Sequence, residues 1–257
     1  MILDIQRHAA AAWLWMNRPQ ARNALSDEQI AALETALDVL EKDAATRVLV
    51  LAGRGTAFCA GGDLAKMEKA AKMTRARSRR EASRFAKLLL RLHAFPKPVV
   101  ARVHGPAFAG GMGLAAACDL VVASEEAEFA LPETRLGLVP AMISPYLVRA
   151  MGAAQARRYM LTGERLSAPE AKRIGFAHEC VVAAELDAVV GKMCERLALA
   201  GPEALARAKK LLLHVEGAPL TSQLAAETAA ALADARASPE AREGMRSFLE
   251  KRKPSWQ

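Results

Sequence analysis

The apolar positions of this chain fall into two spacings, and the change from one to the other marks its elements. Residues 3–15 alternate and then run apolar through Trp13-Leu14-Trp15, which predicts two strands around a turn. Asn17-Arg18-Pro19-Gln20-Ala21-Arg22-Asn23 reads as a loop. Ser26 and Gln29 have the S-x-x-Q spacing of a capping box, and Ile30, Leu33, Leu37 and Leu40 then share one helical face. The unbroken apolar run at 48–52 predicts a strand. A polar helix is predicted over about 63–92, stopped by Pro96 and Pro98, with a strand starting at once at Val99. Short strands follow at 119–123 and 128–130. Helical spacing then dominates, over 143–151, 153–161, 169–174, 186–199, 202–213, 220–237 and 239–252. Strands therefore crowd the first half of the chain and helices the second. The helical tail has apolar faces suited to packing on the core or on another subunit. No 20–50-residue repeat and no low-complexity linker interrupts the chain.

The 257 residues are enough for one large domain, or for one domain with an appendage, and such a chain buries about 75% of its unfolded surface without disulfides or metal. The four cysteines, Cys59, Cys118, Cys180 and Cys194, show no CxxC spacing. They are expected to be free thiols of an intracellular, cytoplasmic protein, with no metal site. Residues 1–7 do not form a signal peptide, and no apolar run reaches membrane-spanning length. The formal net charge is +8, and much of it lies between Lys66 and Arg91. That stretch reads either as a solvated helix face or as an attractor for an anionic, phosphate-bearing ligand. Nucleic acid is not the expected partner, because Phe85 alone supplies an aromatic ring within the run.

Two glycine-bearing loops carry the candidate chemistry. One runs from Gly53 to Gly62 after the strand at Val48, and Asp63 leads out of it. The other runs from His104 to Gly113 after the strand at Val99 and enters an alanine-rich helix ending near Cys118. Glycine permits close backbone approach and positive φ. Helix starts point unpaired N–H groups outward. Two such loops can aim two backbone amides at one developing oxyanion. Glu133 follows Ala130-Leu131-Pro132 in a tight turn, and one carboxylate beside oxyanion donors equips a site for proton chemistry next to a carbonyl.

Other motifs fail. The second loop lacks GxGxxG spacing and a following Lys-Ser/Thr, His178-Glu179 is not continued into HExxH, and no GxSxG elbow exists. Ser144 has no nucleophile context. The five histidines form no cluster, and His104 reads as a packed or hydrogen-bonded loop residue.

Phe58-Cys59-Ala60-Gly61-Gly62-Asp63-Leu64 resembles the first signature of the enoyl-CoA hydratase/isomerase (crotonase) superfamily. His104 to Leu114 with Ala117-Cys118-Asp119 resembles the second, and Phe129 to Pro140 the third. Asn17-Arg18-Pro19, Leu161-Thr162-Gly163-Glu164 with Ala168, and Glu243 to Arg252 also fit. The resemblance spans nearly the whole chain. It implies an α/β fold, the ClpP-like spiral of repeated ββα units, with a core over 1–195 and a helical oligomerisation region over 196–257 that builds a homotrimer or a hexamer of two trimers.

The resemblance also implies roles. The backbone amides of Gly62 and Gly110 would hold the thioester oxygen of an acyl-CoA, and Glu133 would be the catalytic carboxylate. Ala60, Gly61, Asp63, Leu64 and Gly113 would line the substrate. CoA would enter as part of the substrate, with no separate cofactor, metal, nucleic acid or membrane. Many hydratases of the family carry a second glutamate where this chain has Gly113. One carboxylate suits Δ3-Δ2 enoyl-CoA isomerisation, whereas residues 136–148 resemble hydratases of branched glutaconyl thioesters (methylglutaconyl- and isohexenylglutaconyl-CoA). Hydration is the expected reaction and isomerisation the alternative, with a noncatalytic acyl-CoA- or RNA-binding member third. A carboxylate-bearing substrate calls for a nearby cation, for which Arg135 and the basic helix are candidates. Lys251, Arg252 and Lys253 are placed to meet a partner subunit's CoA.

Overall fold

The structure is a computed structural model that describes residues 1–63, 68 and 73–257. Strands β1 (Leu3–His8) and β2 (Ala11–Met16) form the predicted hairpin. Strands β3 (Val48–Gly53), β4 (Val99–Val103), β6 (Leu120–Ser124) and β9 (Glu179–Val181) extend it in the order β1-β2-β3-β4-β6-β9. Within this sheet the β1–β2 pair is antiparallel and the other described pairs are parallel. Strands β5 (Ala107–Phe108), β7 (Glu128–Ala130) and β8 (Arg165–Ser167) form a second, smaller sheet.

The interior strands show no polar–apolar alternation because both faces of the large sheet are covered. On one face, Leu14, Met16, Leu49 and Leu51 pack in the main core, together with Leu33, Leu37, Leu88, Leu89 and Met112. These come from helices α1 (Asp27–Lys42), α2 (Arg75–His93) and α3 (Gly110–Ala116). On the other face, Trp13, Trp15, Val50, Val100 and Val122 form a second cluster with Leu186, Val190 and Cys194. Those three lie on α6 (Leu186–Ala198), which runs past the expected domain boundary at residue 195.

Helix α4 (Ser144–Thr162) bends at Gly152, whose φ of 75° is not helical, and the sequence therefore reads as two helices there. Helix α5 (Ala168–Arg173) connects β8 toward β9. Helices α7 (Pro202–Val215), α8 (Ser222–Arg236) and α9 (Pro239–Leu249) complete the chain. The C-terminal region meets the core at Lys209, whose ammonium lies 2.7 Å from Asp119. The same Asp119 carboxylate accepts the Val99 N–H at 2.7 Å, so one side chain ties α7 to the start of β4.

Strands β5, β8 and β9 were not anticipated. Each is two or three residues long, too short to show a period in the sequence. Of the helix expected over 63–92, residues 64–67 and 69–72 lie outside the described residues. Leu64 is among them. The four cysteines are free, three of them buried. Among the described residues no helix is long and apolar enough to cross a membrane.

Candidate active site

The three glycine- and acid-bearing segments lie side by side. The Cys59 N–H donates to Pro106 O (3.1 Å) and Phe108 N–H donates to Cys59 O (3.0 Å), which joins the first loop to the second. Ala109 N–H donates to Ala130 O (2.8 Å), and Phe108 pairs with Ala130 in the β5–β7 ladder, which joins the second to the third. Two glycines make the close approach possible. A Cβ on Gly61, whose φ is +93°, would stand 2.8 Å from Phe108 O and 2.9 Å from Ala109 Cβ, and a Cβ on Gly111 would land on Cys59 O.

The first loop is held from behind by the loop at 17–25. Ala60 N–H donates to Arg22 O (3.0 Å), and Leu25 N–H donates to Gly61 O (2.8 Å). Asn23 is fully buried; its amide donates to Arg54 O and Ala57 O at 2.8 Å each and its carbonyl accepts the Arg18 N–H at 2.9 Å. Arg18 in turn pairs with Asp63 at 3.0 Å. Asp63 therefore fixes the exit of the loop through Arg18.

Gly110 begins α3. Ala109 before it has φ 48° and ψ −119°, a conformation disfavoured for a residue with a side chain, and the ladder contacts on both sides hold it there. Among the described residues, neither the Gly62 nor the Gly110 N–H donates to a protein acceptor. Behind Gly110 stand Leu25 and Phe85, whose Cδ1 and Cζ lie 2.8 and 3.3 Å from where a Cβ would sit.

Glu133 lies in a 3-10 turn, Pro132–Leu136, that closes on Gly137 in the left-handed region. Thr134 Oγ1 donates to Met160 O (3.3 Å), and Arg135 donates to Thr162 O through Nε (3.3 Å) and Nη2 (3.1 Å), so the turn is pinned to the end of α4. The Glu133 Oε2 is buried and, among the described residues, has no hydrogen-bond partner. Burial pushes the Glu133 carboxyl above its usual range, opposed by a bond from its own backbone N–H. A half-buried carboxyl with a raised pKa is suited to taking and giving a proton.

A model of the family described as enoyl-CoA hydratase/isomerase matches residues 6–257. The chain belongs to the enoyl-CoA hydratase/isomerase family. It is 34% identical to the 2,3-dehydroadipyl-CoA hydratase of Escherichia coli over 256 residues, covering 99% of this chain and 98% of that one. Its fold matches an enoyl-CoA hydratase from Shewanella pealeana with a TM-score of 0.96 at 35% identity, covering 100% and 96% of the two chains. It matches Pseudomonas aeruginosa AtuE with a TM-score of 0.94 at 37% identity, covering 100% and 99%. The fold is the α/β crotonase fold expected from the sequence.

Within this enoyl-CoA hydratase/isomerase fold, Ala60, Gly61, Gly62 and Asp63 sit on the first loop and Gly110 and Gly113 on α3, while Leu64 lies outside the described residues. Gly113 is buried, and its missing side chain is replaced by Ile143: a Cβ there would land on Ile143 Cγ2 and lie 2.8 Å from Ile143 Cβ. Arg135, a candidate cation for a substrate carboxylate, is exposed, and its guanidinium donates to the Thr162 carbonyl at the end of α4. His104 is a hydrogen-bonded loop residue, its Nε2 2.8 Å from Gly55 O. Among the described residues no group of three or more His, Cys, Asp or Glu side chains could hold a metal.

Sequence reasoning missed Asn23, Leu25, Phe85 and Ile143. Their apolar or loop-forming character carries no chemical signal. The asparagine at 23, a residue type that tolerates the left-handed φ it adopts here (55°) better than most, was the one available hint.

Proposed function

We propose that this chain adds water across the double bond of an α,β-unsaturated acyl-CoA thioester. In this reading the Gly62 and Gly110 N–H groups hold the thioester oxygen, and Ala60, Gly61, Asp63, Leu64 and Gly113 line the substrate. Glu133 accepts a proton from water as the water oxygen bonds to the β-carbon. The electron pair of the double bond moves onto the thioester as an enolate, which the two amides stabilise. Glu133 then returns the proton to the α-carbon, so atoms and charge balance with one carboxylate and no resident cofactor. The observation that carries the reading is the buried Glu133 Oε2, without a hydrogen-bond partner among the described residues, on the turn after β7, which ladders to the Gly110 loop, itself bonded to the Gly62 loop.

The substrate class follows from residues 136–148, which resemble hydratases of branched glutaconyl thioesters. The relative named for 2,3-dehydroadipyl-CoA, also a carboxylate-bearing acyl group, supports it. A second reading, Δ3-Δ2 isomerisation, is favoured by one observation: Ile143 fills the place of any side chain at Gly113, so the site has no carboxylate there. Purified protein assayed for loss of enoyl-thioester absorbance across a panel of enoyl-CoAs, including 3-methylglutaconyl-CoA, and for conjugation of a 3-enoyl-CoA, decides between them. Hydration at least about tenfold faster than isomerisation is the expected result. The reverse order assigns the isomerase, and neither activity assigns the noncatalytic reading.

The assembly proposed is a homotrimer or a hexamer of two trimers, built through the helices of 196–257. In support, Leu220, Leu232, Phe248 and Leu249 are exposed, and α8 buries none of its residues within the chain. Of the terminal cations proposed to meet a neighbour's CoA, Arg252 is held by Glu243 and Glu250 at 2.7 Å each, which leaves Lys251 and Lys253 for that role. Sedimentation as a monomer at micromolar concentration would remove the assembly proposal.

A further inference from the structure

The cations of α2 divide into two sets. Arg84 is answered by Glu34 of α1, with Nη2 at 2.7 Å and Nε at 3.1 Å from the same carboxylate oxygen. Arg91 is answered by Asp38 and Glu41 of α1. Before Arg84, and at Lys87 between the two, the answers stop. Among the described residues, Arg79, Arg80 and Lys87 pair with no acid, and Arg77 meets Glu81 only at 3.7 Å. The first turn of α2 holds no acidic residue. Positive side chains therefore gather at the helix end that already carries a positive partial charge, and Arg80 faces Arg84 four residues on. Each arrangement disfavours the helix by a few tenths of a kcal/mol.

These side chains are not scattered on a convex face. Arg79, Arg80, Ser83, Arg84 and Lys87, with Glu34 opposite, line a groove of about 630 Å³ between α1 and α2. The groove lies on the outer side of the helix whose buried Phe85 backs Gly110.

We propose that this groove binds a ligand bearing a dianionic phosphate. Among the described residues, two guanidinium forks, one ammonium and the Ser83 hydroxyl are donors without acceptors in the groove. Arginine forks match phosphate oxygens in bidentate geometry. A dianion relieves the repulsion among the unanswered cations more fully than a carboxylate does. The site is separate from the thioester reading and stands without it. Its phosphate comes either from the nucleotide end of a CoA substrate or from a free phosphate metabolite.

The test is calorimetric titration of the full chain and of R79Q/R80Q/K87Q with inorganic pyrophosphate, CoA and dephospho-CoA. Equal melting temperatures of the two proteins serve as the folding control. The expected result is that the variant binds pyrophosphate at least about tenfold more weakly, while R79K/R80K, which keeps the charge, stays within about threefold of the parent. If CoA weakens in parallel and dephospho-CoA does not, the phosphate is the 3′-phosphate of CoA. If all three weaken, it is the diphosphate. If pyrophosphate alone weakens, the groove serves a free phosphate ligand. Identical binding of pyrophosphate to both proteins, or no binding to the parent, overturns the proposal. Crotonyl-CoA turnover, read separately, reports on the thioester site, so failure of one proposal is distinguishable from failure of the other.

Discussion

Ile143 Cγ2 occupies the space that a side chain on Gly113 would need. The two residues belong to different helices, α3 and the cap of α4, and the absence of one side chain is matched by the burial of the other. Gly113→Ala should therefore cost about 1–3 kcal/mol through overpacking. In an Ile143→Ala background, where the methyl is gone, the same substitution should cost at least about 1 kcal/mol less. A denaturant double-mutant cycle measures this coupling. Additive costs would show that the two residues do not share the space.

Glu133→Gln should change stability in a pH-dependent way. The folded state holds the Glu133 proton more tightly than the unfolded chain does, because burial raises its pKa. Wild-type stability from this group is therefore full at low pH and declines as pH rises from the ordinary carboxylate range through the raised folded value. The amide has no such dependence. Melting curves should show the variant gaining on wild type across that window and holding the gain above it. A constant difference from pH 4 to pH 8 would remove burial as the cause.

Gly110→Ala keeps the N–H but sets a methyl 2.8 Å from Leu25 Cδ1, so it should cost stability and push the N–H off the thioester oxygen. Losing such a donor altogether costs about 10²–10³ in turnover, which bounds the expected loss. Adding Leu25→Ala relieves the clash, and both stability and turnover should recover in that background. Turnover unaffected by Gly110→Ala while stability falls would make Gly110 a packing position only.

Asn23→Ala should cost about 3 kcal/mol or more. It strips partners from Arg54 O, Ala57 O and the Arg18 N–H in a fully buried setting, and it places alanine at positive φ. Because these bonds hold the first loop, KM for an enoyl-CoA should rise as well. Chemical denaturation and steady-state kinetics check the pair, and an unchanged denaturation midpoint would contradict it.

The parts of the fold legible in the sequence are those with a repeating signal. The apolar runs of β2, β3 and β4 and the period of α1 were visible because both sheet faces and one helix face are buried. The loops were legible because glycine at 61, 62, 110 and 111 has few other uses at strand–helix junctions. What stayed hidden was relational. No local pattern says that Cys59, Phe108 and Ala130 lie on adjoining segments, that Ile143 fills the space at Gly113, or that Arg135 donates to the Thr162 carbonyl. The Ser26–Gln29 motif illustrates the limit: Ser26 caps the Gln29 N–H as predicted, but the Gln29 side chain turns to Asn23 O, where the neighbouring loop offers an acceptor.

The central claim is that Glu133 carries the proton at the α-carbon of a thioester held by the two loops. The direct measurement is deuterium incorporation at the α-carbon when crotonyl-CoA is incubated with enzyme in D₂O and followed by NMR. Wild type should place one deuterium at that carbon as the hydrated product forms, and Glu133→Gln, folded and able to bind CoA, should do so at least about 100-fold more slowly. Incorporation by the variant at the wild-type rate would contradict the assignment of Glu133 and with it the proposed mechanism.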